Sequence, residues 1–317
     1  MLKIYTHSAF RRHDTGVGHP ETASRLDAAM EGVRRAGASE RVLSDVVHPD
    51  TGRIIAKVHS REYERDLDEA CRSGMRLFHS LDNPISSSSF AAARAAVGTA
   101  LAAAEDIWQR KESNRAFIVA RPPGHHAERT EAMGFCFFNT IACVAEWLRE
   151  QPGIERVFVF DFDVHHGNGT QSIFNERDDV FYASIHRYPF YPGTGAADEI
   201  GSGKGRGFTR NIPMSGGEGD ALFLRAVEDE IVRIVDDYEP HAILLSSGFD
   251  AHVRDPLGGM RVTEQAYGEL TRRVVELAQR HCEGRVLSLL EGGYDMEGLA
   301  ASTAEHVSAL GQVSSRE

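Results

Sequence analysis

The chain has 317 residues, 41% of them hydrophobic and 26% charged, with a formal net charge of −12. That length suits one large α/β domain or two small ones. The acidic balance argues against nucleic acid, which needs clustered Lys and Arg; it is expected chiefly to keep the protein soluble, and would only mildly favour a cationic substrate. Four irregularly spaced cysteines, Cys71, Cys136, Cys143 and Cys282, form no C-x-x-C pair. They argue against a disulfide framework and a thiolate metal site, and fit a reducing cytoplasm. The opening "MLKIYTHSAFRRHD" lacks the apolar stretch of a secretory leader. No apolar run reaches the ~20 residues of a membrane helix.

In chain order, "LKIY" (2–5) reads as a strand. "SSSS" (86–89) reads as a loop with a Ser N-cap, leading into the Ala-rich helix 88–108. Strands are predicted at "AFIVA" (116–120), "RVFVF" (156–160) and "VFYASI" (180–185). Gly-rich loops at 192–207 and 215–219 precede a helix over 220–238. Leu222, Ala226, Val227, Ile231, Ile234, Val235 and Tyr238 form one apolar stripe on it. Then come strand "AILLSS" (242–247), helix 263–281 and strand "RVLSLL" (285–290). Several strands are apolar on both faces, as strands buried in a parallel sheet are. The alternation predicts an α/β fold: a single domain, 1–317, with a mostly parallel β-sheet flanked by helices on both faces.

In such sheets, ligands bind beyond the carboxyl ends of the strands. Five strand ends here carry Gly with His, Asp or Tyr: "RPPGHHAE", "DFDVHHGNGT", "IHRYPFYPGTG", "GFDAHVRDPLGG" and "EGGYD". One site at that edge explains all five. If the strand at 156 runs on through Val164, then Asp161, Asp163 and His165 share a face. Asp163 and His165 could then converge on an ion with Asp250 as third ligand. Two carboxylates and one imidazole leave an open position, as in catalytic zinc sites, and would also accept Fe²⁺ or Mn²⁺. A metal-free carboxylate–histidine network would leave the acids poorly compensated. The tandem His125-His126 suits proton transfer. Tyr294, behind two glycines, could donate a hydrogen bond to a developing oxyanion. His166, His186 and His252 read as structural.

With these segments in hand, the chain resembles the arginase-like, zinc-dependent histone deacetylase family. The match runs from "GVGHPETASRL" (16–26) to "EGGYD" (291–295) and includes "MGFCFFN" (133–139) and "PMSGGEGD" (213–220). Its detail is similar to class II deacetylases and bacterial acetylpolyamine amidohydrolases. The resemblance implies Asp163, His165 and Asp250 as zinc ligands. It implies His126, oriented by Asn168 where class I members have Asp, as general base and then general acid. His125, held by Asp161, would be its electrostatic companion, and Tyr294 the carbonyl-polarising phenol. Phe135 and Tyr191, the latter replacing the commoner Phe, would flank a narrow tunnel. The Gly134 carbonyl would receive the substrate amide N–H. Asp82 in "LDNP" would be a rim acid, Leu257 a gatekeeper-like residue, and Arg25 the lining of an inner channel for released acid. Potassium would sit on the carbonyls of Asp161, Asp163, His165 and Ile185 and the Ser184 hydroxyl. A second monovalent cation would lie near Phe174 and Val180.

The implied activity is removal of acetyl or related acyl groups from acyl-lysine in proteins or peptides. The alternative is an acetylpolyamine deacetylase, and Leu257, where a polyamine specialist has Glu, leans against it. A more remote alternative is a two-metal ureohydrolase, whose second ion needs carboxylates where His126 and Asn168 stand. A binding module that keeps the pocket without catalysis is a further alternative. Acyl chain length and any homo-oligomer stay open.

Overall fold

In the computed structural model, residues 1–312 are described; the last five of the expected domain, 313–317, lie outside them. The chain opens with β1 (Leu2–Thr6), α1 (Ser24–Arg35), β2 (Val42–Ser44), α2 (Thr51–Val58) and α3 (Arg61–Arg72). A hairpin of β3 (Leu77–Phe78) and β4 (Ser80–Pro84) then leads to α4 (Ser89–Trp108) and β5 (Arg115–Ile118). Next come α5 (Thr140–Leu148), β6 (Val157–Asp161), α6 (Asn168–Phe174), β7 (Val180–Arg187) and β8 (Thr209–Met214). The chain closes with α7 (Asp220–Ala226), α8 (Val232–Tyr238), β9 (Ala242–Ser247), α9 (Glu264–His281), β10 (Val286–Leu290) and α10 (Met296–Gly311).

Eight strands form one sheet in the order β2-β1-β5-β10-β9-β6-β7-β8. Every pairing in it is parallel. Strands β5, β6, β9 and β10 are buried at every position, so both faces of the sheet are covered. One group of helices, α1, α9 and α10, packs together, with α10 on β5. A second group, α2, α4 and α5, packs together, with α4 on β1, β5 and β10 and α5 on β6 and β9. The fold is the predicted single-domain α/β sheet. All six predicted strands are present, within one or two residues of their expected ends.

Three local expectations change. The helix over 220–238 is interrupted by a π turn at Val227–Ile231. That turn rotates the apolar stripe: Phe223 is buried and Leu222 is exposed. The Ala-rich helix has Ser88 at its N-cap, without a side-chain cap bond. Ser89 does the local work instead, its hydroxyl accepting from Ser86 N at 2.8 Å and meeting His13 Nδ1 at 2.7 Å. Finally, β6 ends at Asp161 rather than running through Val164. Asp163 and His165 therefore lie on a bend, and period-two alternation does not align them.

Candidate active site

The four strands β5, β10, β9 and β6 are neighbours in the sheet. The segments after their carboxyl ends carry His125 and His126, Glu291 to Tyr294, Asp250, and Asp161 to His165. The sheet order thus brings together residues more than a hundred positions apart in the chain.

Asp163, His165 and Asp250 each offer one donor atom, and all three atoms lie within 4.8 Å of one another. The bend after β6 closes on itself, with His165 N donating to Asp163 Oδ1 at 2.9 Å. The ring nitrogen Nδ1 of His165 faces both acids, 3.1 Å from Asp163 Oδ1 and 3.2 Å from Asp250 Oδ2. Asp250 is anchored through its other oxygen, which accepts from Val164 N at 2.8 Å. Its Oδ2 is buried and has no hydrogen bond. Glycine is required at 292, because a Cβ there would collide with Oδ2 of both Asp250 and Asp163.

Two buried carboxylates against one imidazole are undercompensated. Burial and the neighbouring Asp163 push the Asp250 carboxyl up. Burial opposes protonation of His165, but Asp163 and Asp250 outweigh it and raise the imidazole to about 10. A buried acceptor without a hydrogen bond, in a set of two carboxylates and one imidazole, fits a divalent cation with an open coordination position. A second group, His125, Cys136 and Glu291, also falls within 4.8 Å.

The two tandem histidines are held differently. His125 Nδ1 lies 3.1 Å from Asp161 Oδ2, which also accepts from Tyr182 OH at 3.2 Å. Burial works against its charge, yet Asp163 and Asp161 raise His125 to about 10. His126 Nδ1 lies 2.7 Å from Asn168 Oδ1. The amide is oriented by its own donor, since Asn168 Nδ2 donates to Glu128 Oε1 at 2.9 Å. Oδ1 can only accept, so His126 carries its proton on Nδ1 and leaves Nε2 as a lone pair. Burial, then His125 and His165, hold His126 well below the ordinary imidazole range.

These groups meet at a cavity of about 260 Å³ lined by Asp82, His126, Gly134, Phe135, His165, Phe190, Tyr191, Leu257 and Tyr294. Phe135 and Tyr294 stand edge to face, 5.9 Å apart. Gly134 packs so closely on His126 that a Cβ would meet the ring, and its φ is +54°. Phe135 is itself left-handed, at φ +70°. Hairpin β3–β4 holds this strained pair, with Asp82 Oδ2 accepting from Gly134 N at 3.1 Å and Asn83 Oδ1 from Phe135 N at 2.9 Å.

The structure brings all the predicted tunnel residues to this cavity and sets Arg25 just behind it. Arg25 is fully buried, donates to Gly293 O at 2.7 Å and to Glu291 O, and lies 4.9 Å from the Tyr294 ring. Asp161 and Ser184 are register partners on β6 and β7, so the predicted potassium residues are neighbours. Phe174 and Val180 sit elsewhere, because Val180 pairs with Val157 at the opposite end of those strands. His166, His186 and His252 each have hydrogen-bond partners at both ring nitrogens.

Four residues had no assigned role from sequence. Phe190 stacks on His165, with centroids 5.4 Å apart at 14°, and the Arg187 guanidinium lies over the Phe190 ring, 4.0 Å from its centroid. Asp255 accepts from Tyr294 N at 2.7 Å and Leu257 N at 2.9 Å, tying two loops of the site together. Glu291 Oε2 accepts from Gly124 N at 2.6 Å and His125 N at 3.2 Å, and burial pushes its carboxyl up to about 7. Glu21 binds Arg25 and Arg121. Three of these acids stand inside the motifs quoted above, but nothing in their spacing separates a buried brace from a surface charge.

A parallel α/β sheet ending in a carboxylate–imidazole cluster, a tandem histidine and a phenol in a narrow cavity defines a hydrolase of the arginase-like class. Comparison with known proteins narrows the class. The histone deacetylase domain profile matches residues 19–310. A "Probable deacetylase" of Archaeoglobus fulgidus is 38% identical over 93% of this chain and 82% of that protein. A "Histone deacetylase-like amidohydrolase" of Pseudomonas aeruginosa is 37% identical over 87% of this chain and 71% of that protein. The crystal structure of the HDA15 HD domain matches with a TM-score of 0.91 and 34% identity, over 100% of this chain and 90% of that one. The chain belongs to the histone deacetylase family, and is a hydrolase acting on amide bonds.

Proposed function

We propose that the chain removes acetyl or related acyl groups from acyl-lysine in peptides or proteins. The observation that carries this reading is His126: its lone pair on Nε2 borders the same narrow cavity as the undercompensated Asp163–His165–Asp250 cluster. We assign that cluster to a single Zn²⁺, with Fe²⁺ or Mn²⁺ as alternatives. Such an ion, when bound, supplies a Lewis acid for the scissile carbonyl and acidifies a water molecule.

The protein's own groups do the rest. His126 Nε2 takes the proton of the attacking water as the new C–O bond forms. It returns that proton to the amine nitrogen as the C–N bond breaks. His125, charged and held by Asp161, stays protonated and fixes which of the two imidazoles acts as base. Tyr294 donates to the developing oxyanion. The Gly134 carbonyl accepts the substrate amide N–H. Phe135, Phe190 and Tyr191 flank the alkyl chain, Leu257 borders the mouth, and Arg25 lines the exit for the released acid. Asp161, Asp163, His165, Ser184 and Ile185 are assigned to a structural K⁺, and Phe174 and Val180 to a second monovalent cation. The reading places the enzyme in the cytoplasm, acting on a peptide, protein or small amide, with no nucleic acid or membrane partner. No described helix is long and apolar enough to cross a membrane.

An acetylpolyamine substrate is the second reading, favoured by the acid Asp82 at the mouth and the net charge of −12. The test is kcat/KM of Zn-loaded protein on an acetyl-lysine peptide against N-acetylputrescine and N⁸-acetylspermidine. A ~100-fold preference corresponds to nearly 3 kcal/mol of differential transition-state binding and decides between them. No turnover of any of the three sinks both readings.

A further inference from the structure

We propose that Tyr191 is a specificity residue that latches Asp82, masking the carboxylate at the cavity mouth from N–H donors of the substrate. The proposal rests on the deacetylase reading above and changes what the mouth is expected to do. A rim acid grips a substrate only if it has a free lone pair. Asp82 Oδ2 accepts from Tyr191 OH at 2.8 Å and from Gly134 N at 3.1 Å. Its Oδ1 accepts from the Ser80 hydroxyl. A carboxylate has about four acceptor positions, and three are taken from within the protein.

The latch is built in. The Tyr191 ring stands edge-on to His126, with centroids 5.3 Å apart at 89°, and to His165, 6.0 Å apart at 83°. This packing sets where the phenol sits. Asp82 is fixed from the other side, because Asn83 next to it accepts from Phe135 N at 2.9 Å. Phenylalanine at 191 would keep the ring and lose the bond. A phenol donating to a carboxylate makes a charge-assisted hydrogen bond, stronger than one between neutral groups. Both positions on Oδ2 are filled, so a substrate donor that reaches this oxygen must displace the phenol. Tyr191 is 40% exposed, so the displaced hydroxyl can turn to water.

The affected substrates share one chemistry: an N–H donor four or five carbons from the scissile amide nitrogen. The backbone amide of acetyl-lysine and the ammonium of N-acetylputrescine both fit. N-butylacetamide has the same amide and alkyl chain and no such donor. The experiment measures kcat/KM for all three on metal-loaded wild type, Tyr191→Phe, Asp82→Asn and the double variant. In Tyr191→Phe the ratio of each donor-bearing substrate to N-butylacetamide should rise about tenfold, through KM rather than kcat, the factor of one charge-assisted bond released. The double variant should show no gain over Asp82→Asn. A rise confined to N-acetylputrescine assigns the unmasked acid to ammonium groups; a rise for both assigns it to N–H donors generally. Ratios that stay level or fall in Tyr191→Phe overturn the latch while leaving the deacetylase reading intact. Absence of turnover on every amide overturns that reading instead. The latch is then judged on the dissociation constants of the same three compounds, with the same expected factor.

Discussion

Two buried charge clusters meet at the turn Gly292–Gly293, and they are built on opposite terms. Gly293 O accepts from Arg25 at 2.7 Å, and Gly292 N donates to Asp163 Oδ2 at 2.8 Å. On the Arg25 side, one carboxylate serves two guanidiniums. Glu21 Oε1 lies 3.0 Å from Arg25 Nη1 and 2.6 Å from Arg121 Nε, while Oε2 takes Arg121 Nη2 at 2.7 Å. Burial opposes ionisation of Glu21, but Arg121 and Arg25 overcome it and pull the carboxyl down to about 2. On the Asp163 side, two carboxylates share one imidazole, and Asp250 Oδ2 has no hydrogen bond. The first cluster is complete within the protein and serves as a brace. The second has a surplus acceptor, which the proposed cation would meet. Burial and charge alone do not mark a functional site; what sets the second cluster apart is two buried carboxylates sharing one imidazole.

The sharpest way to break this comparison is to remove one carboxylate from each cluster. Asp250→Asn should lower bound metal well below one ion per chain and reduce turnover at least ~10³-fold, the scale of losing a Lewis acid and its activated water. Metal-free Asp250→Asn should unfold no earlier than metal-free wild type, because the change relieves two like charges. Metal analysis and denaturant melts read both outcomes. Full metal occupancy in this variant would remove Asp250 from the ligand set.

Glu21→Gln should do the reverse. It leaves two guanidiniums buried without their counter-ion, at a cost of ~3–5 kcal/mol, with metal content per folded chain unchanged. The folded value of about 2 lies below the unfolded 4.5. Glu21 therefore contributes stability that is present above pH 4.5 and lost as pH falls toward 2. The variant should lose that part of its acid sensitivity, measured by the chemical-denaturation midpoint from about pH 5 to about pH 2.5. Tyr294→Phe touches neither cluster's charge. It should keep its metal and lose ~10²-fold in kcat, the usual scale of a missing oxyanion donor. Full activity there would end the role given to the phenol.

The fold was readable because its strands are short, apolar on both faces and separated by helical periodicity, which is how buried parallel strands are written. The grouping of Asp163, His165 and Asp250 was readable for a different reason: all three follow strand ends, where α/β sheets bind ligands. The route to it was wrong in detail, since a bend after Asp161, rather than strand alternation, turns Asp163 and His165 together. What escaped were relations across the sheet. The short strand β8, Thr209–Met214, carries a Pro and several polar residues and gives little apolar signal. Phe190 lies in a Tyr/Pro-rich loop, and only the fold shows that it stacks on His165. Asp82 was expected as a rim acid and does line the cavity, but its bond to Tyr191 depends on a contact between residues 109 positions apart.

The smallest expected effect bears on the partner of His126. Asn168 is neutral, and its amide oxygen can only accept from Nδ1, so nothing at that end stabilises an imidazolium by charge. Burial, His125 and His165 all press His126 below 6.5, with Asp163 the opposing charge. A base must be neutral to work, so the acid limb of kcat/KM in the wild type should lie below pH 6.5. The substitution Asn168→Asp would put a carboxylate on Nδ1 and favour the charged ring. The new acid would also face the Glu128 carboxylate that the amide now binds. The variant is therefore best made as Asn168→Asp with Glu128→Gln, against Glu128→Gln alone. The acid limb should move up by ~1 pH unit or more, the low end for a carboxylate beside an imidazole. Activity at about pH 8 should change less than activity at about pH 6. A limb that stays put in the paired variants would mean that another group takes the proton, and that His126 holds its place at the cavity for a different reason.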